Sequence, residues 1–215
     1  MKIENYLEII PAINVPTFEE VKERVKKVEP FAQWCHLDVT DGVFSKHLTW
    51  HDARDLPLLH TSLYMEVHLM VEEPEKIIDQ WLVFPVRRII VQMEAVKDME
   101  LLIRKCREAK KEIGLAVGPE TFWGQLEPWF GRVDMVQVLA VCPGPSGQKM
   151  AEGTIEKITH LRNSCPSCIL EVDGGITFES ASLVKNAGAD ILVAGSMIFA
   201  SEDVGMTIEK LKNHG

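Results

Sequence analysis

Residues 34–42 read Trp34-Cys35-His36-Leu37-Asp38-Val39-Thr40-Asp41-Gly42. In an extended strand, residues two apart share a face. His36 and Asp38 therefore point one way, and Cys35, Leu37 and Val39 the other. An imidazole and a carboxylate turned inward are costly to bury unless they meet a ligand. Asp41-Gly42 reads as the turn that ends the strand. The geometry recurs in Glu66-Val67-His68-Leu69-Met70, where Glu66, His68 and Met70 share a face, and in Leu170-Glu171-Val172-Asp173-Gly174-Gly175, where Glu171 and Asp173 do.

Outward from these stretches, short apolar runs alternate with amphipathic segments. Expected strands are Leu7–Asn14, Trp34–Val39, Leu63–Val71, Arg88–Met93, Glu112–Val117, Met135–Val141, Cys168–Val172 and Ile191–Ala194. Expected helices are Thr17–Val28, Pro74–Val83, Lys97–Lys111, a short Phe122–Trp129, Gly153–Asn163, Thr177–Ala187 and Ser201–Asn213. Strands that alternate with helices imply a parallel sheet. Two α/β folds compete: a (β/α)8 TIM barrel and an open doubly wound sheet. No GxGxxG or Walker loop follows the first strand, and polar residues gather at the C-terminal ends of several strands, where a barrel carries its site. The expectation is one barrel domain spanning residues 1–215.

The chain carries a formal charge of −9 with 26% charged residues. That disfavours nucleic acid or an anionic membrane as partner. No run approaches a membrane span, and Met1-Lys2-Ile3-Glu4-Asn5 carries no signal pattern. Five cysteines at uneven spacing argue against a secreted disulfide framework and for a reduced, cytoplasmic setting. Cys165-Pro-Ser-Cys168 has neither the second pair a zinc site needs nor a thioredoxin-like context.

If the three inward-facing strand ends converge, His36, Asp38, His68 and Asp173 form a mixed nitrogen and oxygen set. It suits zinc, manganese, iron or cobalt, or acid–base work. A second feature is a group of small-residue loops: Pro143-Gly144-Pro145-Ser146-Gly147-Gln148, Gly174-Gly175 and Gly195-Ser196. Backbone N–H groups approach an anion closely where glycine permits, and barrels commonly bind phosphate at their last loops. Such donors hold a phosphate without a basic surface. Met70 faces inward as a core residue or as a cover over the reacting face.

With these residues assembled, the chain resembles the ribulose-phosphate 3-epimerase family and its hexulose-phosphate relatives. The match runs in order through Ile10-Pro11-Ala12-Ile13, the 36–42 stretch, His68-Leu69-Met70-Val71, Cys142-Pro143-Gly144, Gly147-Gln148, Glu171-Val172-Asp173-Gly174-Gly175-Ile176 and Ala194-Gly195-Ser196. The resemblance implies a divalent metal, zinc foremost, held by His36, Asp38, His68 and Asp173. It also implies Asp38 and Asp173 as two acid–base groups that epimerise a ketose phosphate. Substrate contacts would come from His68, Met70, Gly144, Pro145, Ser146, Gly147, Gly174, Gly175, Gly195 and Ser196. The partner is then a small phosphorylated sugar, and the family often assembles as homo-oligomers.

The chain departs from the family pattern at Ala12 (a serine), Thr40 and Leu139 (methionines), Val43 (a histidine), Cys142 (an asparagine), Pro145-Ser146 (Phe-Gly) and Gln92 (a histidine). Those changes leave the sugar open and admit a sugar-phosphate-binding barrel without turnover. The related orotidine-phosphate decarboxylase and hexulose-phosphate synthase group uses an Asp-x-Lys-x-x-Asp array. Val39-Thr40-Asp41 lacks that lysine.

Overall fold

A computed structural model describes residues 7–214. The N-terminal pentapeptide and both ends of the expected 1–215 domain lie outside the described residues. The strands β1 (Glu8–Ile13), β2 (Trp34–Thr40), β3 (Tyr64–Met70), β4 (Val86–Gln92), β5 (Glu112–Val117), β6 (Met135–Leu139), β7 (Ile169–Asp173) and β8 (Ile191–Ala194) close in sequence order into a parallel barrel. The closing pair is β1 with β8, Ile10 opposite Val193. This is the (β/α)8 TIM barrel, with strand limits within two residues of those expected.

The helices are α1 (Phe18–Val28), α2 (Ile78–Trp81), α3 (Met99–Glu108), α4 (Thr154–Ser164), α5 (Phe178–Ala187), α6 (Ser196–Phe199) and α7 (Val204–His214). Thr17 caps α1 by accepting from the Glu20 N–H, and Thr177 caps α5 by accepting from Ser180. One expectation is corrected. The Pro74–Val83 helix is a 3-10 turn, Pro74–Lys76, followed by the single turn of α2. The short helix expected over Phe122–Trp129 is present as a 3-10 helix, Trp123–Trp129, with Pro128 inside it. The crossover after β2 is also 3-10, Ala53–Leu59 with Pro57 inside it; the sequence reading had no element there. The short α6, also unforeseen, opens directly after β8.

Apolar burial divides in two. A large shell, from Val21, Leu37 and Val67 to Trp81, Leu102 and Leu211, packs the strands against the helices. Inside the barrel the apolar set is small: Ile10, Ala12, Ile90, Ala116, Met135, Ile191 and Val193. The rest of the interior is polar, with His36, Glu66, His68, Gln92, Gln137 and Glu171 all fully buried. The shell thus supplies most of the hydrophobic stabilisation, and the interior is left to hold chemistry.

Cys165 and Cys168 are disulfide-bonded, a correction to their reading as reduced thiols. Cys35 and Cys106 are buried and free, and Cys142 is exposed. The bridge closes a tight loop between α4 and β7 and staples no distant segments. Among the described residues no helix is long and apolar enough to cross a membrane.

Candidate metal and substrate site

Parallel register brings the inward pairs together. Asp38 on β2 stands opposite His68 on β3, and Leu139 on β6 opposite Asp173 on β7. His36 Nε2 lies 3.3 Å from Asp38 Oδ1 and 3.8 Å from Asp173 Oδ2. His68 Nδ1 lies 3.4 Å from Asp173 Oδ2 and 3.7 Å from Asp38 Oδ1. One ligand atom from each residue falls within 4.8 Å of all the others. His36 Nε2, Asp38 Oδ1 and His68 Nδ1 have no hydrogen-bond partner among the described residues, although all are buried; the 3.3 Å pair is close but not aligned for one. Buried polar atoms left in this state cost about 1–3 kcal/mol each. A divalent cation ligated at about 2.0–2.2 Å by imidazole and carboxylate would satisfy all three at once. The donor set fits such an ion.

The layer beneath orients the side chains of the cluster. His36 Nδ1 donates to Glu66 Oε1 at 2.7 Å, which leaves Nε2 to face the cluster. Glu66 Oε2 accepts from Arg88 Nη1 at 2.7 Å. Arg88 reaches on to Glu112 and lies over the Trp34 ring, 4.7 Å from its centroid. The His68 Nε2 sits 2.8 Å from the Gln92 amide. The amide atom facing the ring is Gln92 Nε2; ligation of a metal through His68 Nδ1 would put the ring proton on Nε2 and call for the amide turned over, with its oxygen accepting. Gln137 donates to Glu171 at 2.9 Å.

Charge follows this geometry. Burial opposes the charged form of His36, but the Asp38 and Glu66 carboxylates outweigh it and hold the imidazole well above its usual value. Burial pushes Asp38 up, yet His36, His68 and the Asn14 amide bring it below the usual carboxylate range. Glu66 is likewise lowered, its burial overcome by His36 and Arg88. Glu171 goes the other way: burial and the neighbouring Glu66 charge drive it well above the ordinary range. Two interior carboxyls are thus pushed in opposite directions, Glu66 toward its ionised form and Glu171 toward its protonated form. The raised imidazole marks a place that attracts positive charge, which a metal ion would supply in place of a proton.

Above the cluster a cleft opens at the C-terminal ends of the strands. Asp38, Met70 and Asp173 line it, with Gly144, Pro145, Ser146, Gly147, Gly174, Gly175, Gly195 and Ser196 around its rim. His68 is fully buried in the cluster floor and does not line the cleft. Gly175 sits at φ +67°, and a Cβ there would meet the Met150 backbone nitrogen at 2.5 Å. Only glycine lets the loop after β7 press against the segment that follows β6. Of the departures from the family pattern, Ala12, Leu139, Cys142, Pro145 and Ser146 face the cleft. Thr40 does not: it is fully buried against Thr49. Val43 is 65% exposed, beyond the cleft. Asp41 is a turn residue that accepts from Val43 and Phe44 and, across loops, from the Glu72 N–H.

The chain matches the model of the ribulose-phosphate 3 epimerase family over residues 8–199. The chain belongs to this family. Among curated relatives, the ribulose-phosphate 3-epimerase of Chlamydia pneumoniae is 33% identical over 96% of this chain and 93% of its own length. That of Bacillus subtilis (strain 168) is 30% identical over 96% and 98%. The family is one of isomerases. A crystal structure of 3-hexulose-6-phosphate synthase has the same fold, with a TM-score of 0.72 at 14% identity, covering 97% of this chain and 99% of that one. An orotidine 5'-phosphate decarboxylase from Pyrococcus horikoshii OT3 follows at TM-score 0.65 and 13% identity, covering 96% and 98%.

Several site-shaping residues escaped the sequence reading. Arg88 is one, although Arg88-Ile89-Ile90-Val91-Gln92 carries the period-two signal that puts Arg88, Ile90 and Gln92 on a single face. Asn14 and His47 are others: Asn14 lines the cleft and His47 contacts it, and neither belongs to a recognisable motif.

Proposed function

We propose that this chain is a metal-dependent ribulose-phosphate 3-epimerase that interconverts the two C3 epimers of a pentulose 5-phosphate. The observation that carries the proposal is the convergence of His36, Asp38, His68 and Asp173, three of them with an orphaned buried atom, at the floor of a cleft rimmed by glycine loops. Membership of the epimerase family supports the same reading.

Epimerisation beside a ketone removes a proton from one face of C3 and returns one to the other. Asp38 and Asp173, on strands from different sides of the barrel, are the two acid–base groups. One carboxylate takes the C3 proton, and the electron pair moves toward the carbonyl to give an enediolate. The other carboxyl delivers its proton to the opposite face as the carbonyl re-forms. An aspartate held below its ordinary pKa is a weak base for such a proton. A divalent cation held by His36, Asp38, His68 and Asp173, zinc foremost and manganese, iron or cobalt as alternatives, would supply Lewis-acid stabilisation of the negative charge, worth several kcal/mol. The backbone N–H groups of Gly144, Ser146 and Gly147, with Gly174–Gly175 and Gly195–Ser196, anchor the phosphate and orient C3. Met70 and Leu139 cover the reacting face and exclude water.

The test is turnover of ribulose 5-phosphate and other ketose phosphates by metal-stripped protein reloaded with each of the four ions. Asp173→Asn should abolish turnover and leave the fold intact. Full activity in Asp173→Asn refutes the two-carboxylate mechanism. Binding of ketose phosphate with no exchange of solvent deuterium at C3 would instead identify a binding protein on this scaffold.

A further inference from the structure

Asn14 follows β1 directly and stands where the acid–base floor of the cleft meets its anion-binding rim. Its Nδ2 donates to Asp38 Oδ2 at 3.0 Å and to the Gly144 carbonyl at 3.2 Å. Its Oδ1 faces His47 Nε2 at 2.9 Å. The chemistry of these partners fixes the amide. An ionised carboxylate and a carbonyl can only accept, so the NH2 must face them and the oxygen must face His47. His47 then carries its proton on Nε2. One side chain thereby joins β1, the end of β2, the loop after β2 and the loop after β6.

The Gly144 carbonyl matters for a second reason. It belongs to the Gly144–Pro145 peptide, which has no N–H. A carbonyl oxygen left pointing into the rim would repel a phosphate dianion. The loop has two prolines, Pro143 and Pro145, and so fewer donors than a glycine loop of its length. Gln148 ties down two other carbonyls in the same way: its Nε2 donates to Cys142 O at 2.8 Å and Pro145 O at 2.9 Å. Two carboxamides therefore engage three loop carbonyls, which leaves the N–H groups as the loop's free dipoles.

We propose that Asn14, oriented by His47, is a positioning residue for the reaction: it aims Asp38 Oδ2 into the cleft and couples that aim to the conformation of the anion-binding loop at Gly144. This rests on the reading of Asp38 as an acid–base group and of the 143–148 loop as the phosphate site. The link means that phosphate seated on the loop holds the reacting end in register, so substrate binding and proton transfer share one side chain.

The experiment compares the parent protein, Asn14→Leu, His47→Ala, His47→Gln and the Asn14→Leu/His47→Ala double variant, each fully metal-loaded. Asn14→Leu keeps the side-chain shape and removes three hydrogen bonds. It should lower kcat by about 10- to 100-fold, the worth of a hydrogen bond to a charged group. It should also weaken inorganic phosphate, read by calorimetry, with metal content and unfolding midpoint unchanged. His47→Ala should lower kcat by a smaller factor and add nothing in the Asn14→Leu background. His47→Gln, which can still donate to Oδ1, should retain most of the parent rate. A residue with a merely structural role would move the midpoint and leave kcat and phosphate binding alone. A kcat within twofold of the parent in Asn14→Leu, or equal His47→Ala effects in both backgrounds, overturns the proposal. Failure of the underlying reading looks different: the parent itself turns over no ketose phosphate. Phosphate affinity then decides alone, and an unchanged value in Asn14→Leu overturns the coupling.

Discussion

Replacing Arg88 with methionine keeps the side-chain stem and removes the cation on which the barrel floor depends. Glu66 is fully buried and bonded to Arg88 Nη1 at 2.7 Å and to His36 Nδ1 at 2.7 Å. At an effective dielectric of about 20, a charge pair at that distance is worth about 6 kcal/mol before desolvation. The folded variant need not lose all of it, because Glu66 can escape by taking up a proton. From an ordinary carboxyl value of about 4.3, protonation at pH 7 costs about 4 kcal/mol. That sets the expected loss of stability, in line with the 3–5 kcal/mol typical of breaking one side of a buried ion pair. The sign of the pH dependence follows. In the parent, Glu66 is depressed, so its contribution is present above the unfolded-state value and is lost as pH falls through the folded one. In Arg88→Met the same carboxyl titrates high, and its penalty shrinks as the pH drops. The gap between the two proteins should narrow from about 4 kcal/mol at pH 7 to about 1 kcal/mol at pH 5. Urea titrations at the two pH values, with the slopes checked for equality, measure it. A loss below about 1 kcal/mol at pH 7, or a gap that fails to narrow, would refute the assignment of Glu66 as an ionised residue held by Arg88.

Stripping the metal from loaded protein should lower the unfolding midpoint by about 5 to 10 °C when the free ion had stood at a hundredfold over its Kd, read by scanning calorimetry; an unchanged midpoint would argue against a bound ion. Glu66→Gln should weaken metal affinity by about 10- to 100-fold, measured by competition with a chromogenic chelator, because His36 loses its anionic partner. Gly175→Ala should cost about 1–3 kcal/mol in urea denaturation, since its Cβ meets backbone and not a movable side chain. Ala12→Ser adds a hydroxyl at the wall of the cleft and should shift the preference among ketose phosphates, seen as changed ratios of kcat/KM.

The inward faces were legible because a strand has a period of two. His36 and Asp38, Glu66 and His68, and Glu171 and Asp173 could be assigned to one side from spacing alone. Which of them meet across the barrel depends on register between strands, and a strand's own sequence does not state its register. Asp38 opposite His68 and Arg88 opposite Glu66 are facts of pairing. Arg88 illustrates the cost: next to the exposed Arg87 it reads as part of a solvated strand start, yet alternation puts it inside. The crossovers were harder still. Pro57 and Pro128 lie inside 3-10 segments, and apolar spacing cannot distinguish 3-10 from α over one or two turns. Asn14 and His47 lie far apart in sequence, and only the pairing of β1 with β2 makes them neighbours.

The registered row His36, Glu66, Arg88, Glu112 runs from the cluster toward the opposite end of the barrel, where the Glu112 side chain is 46% exposed. Its last member is open to bulk solvent, and the first belongs to the cluster of His36, Asp38, His68 and Asp173. The electrostatic potential at the centre is therefore adjustable from the outside of the molecule, through a residue that no substrate reaches. A designer wishing to retune the charge at the cluster has a handle on the far face, and need not disturb the cleft to use it.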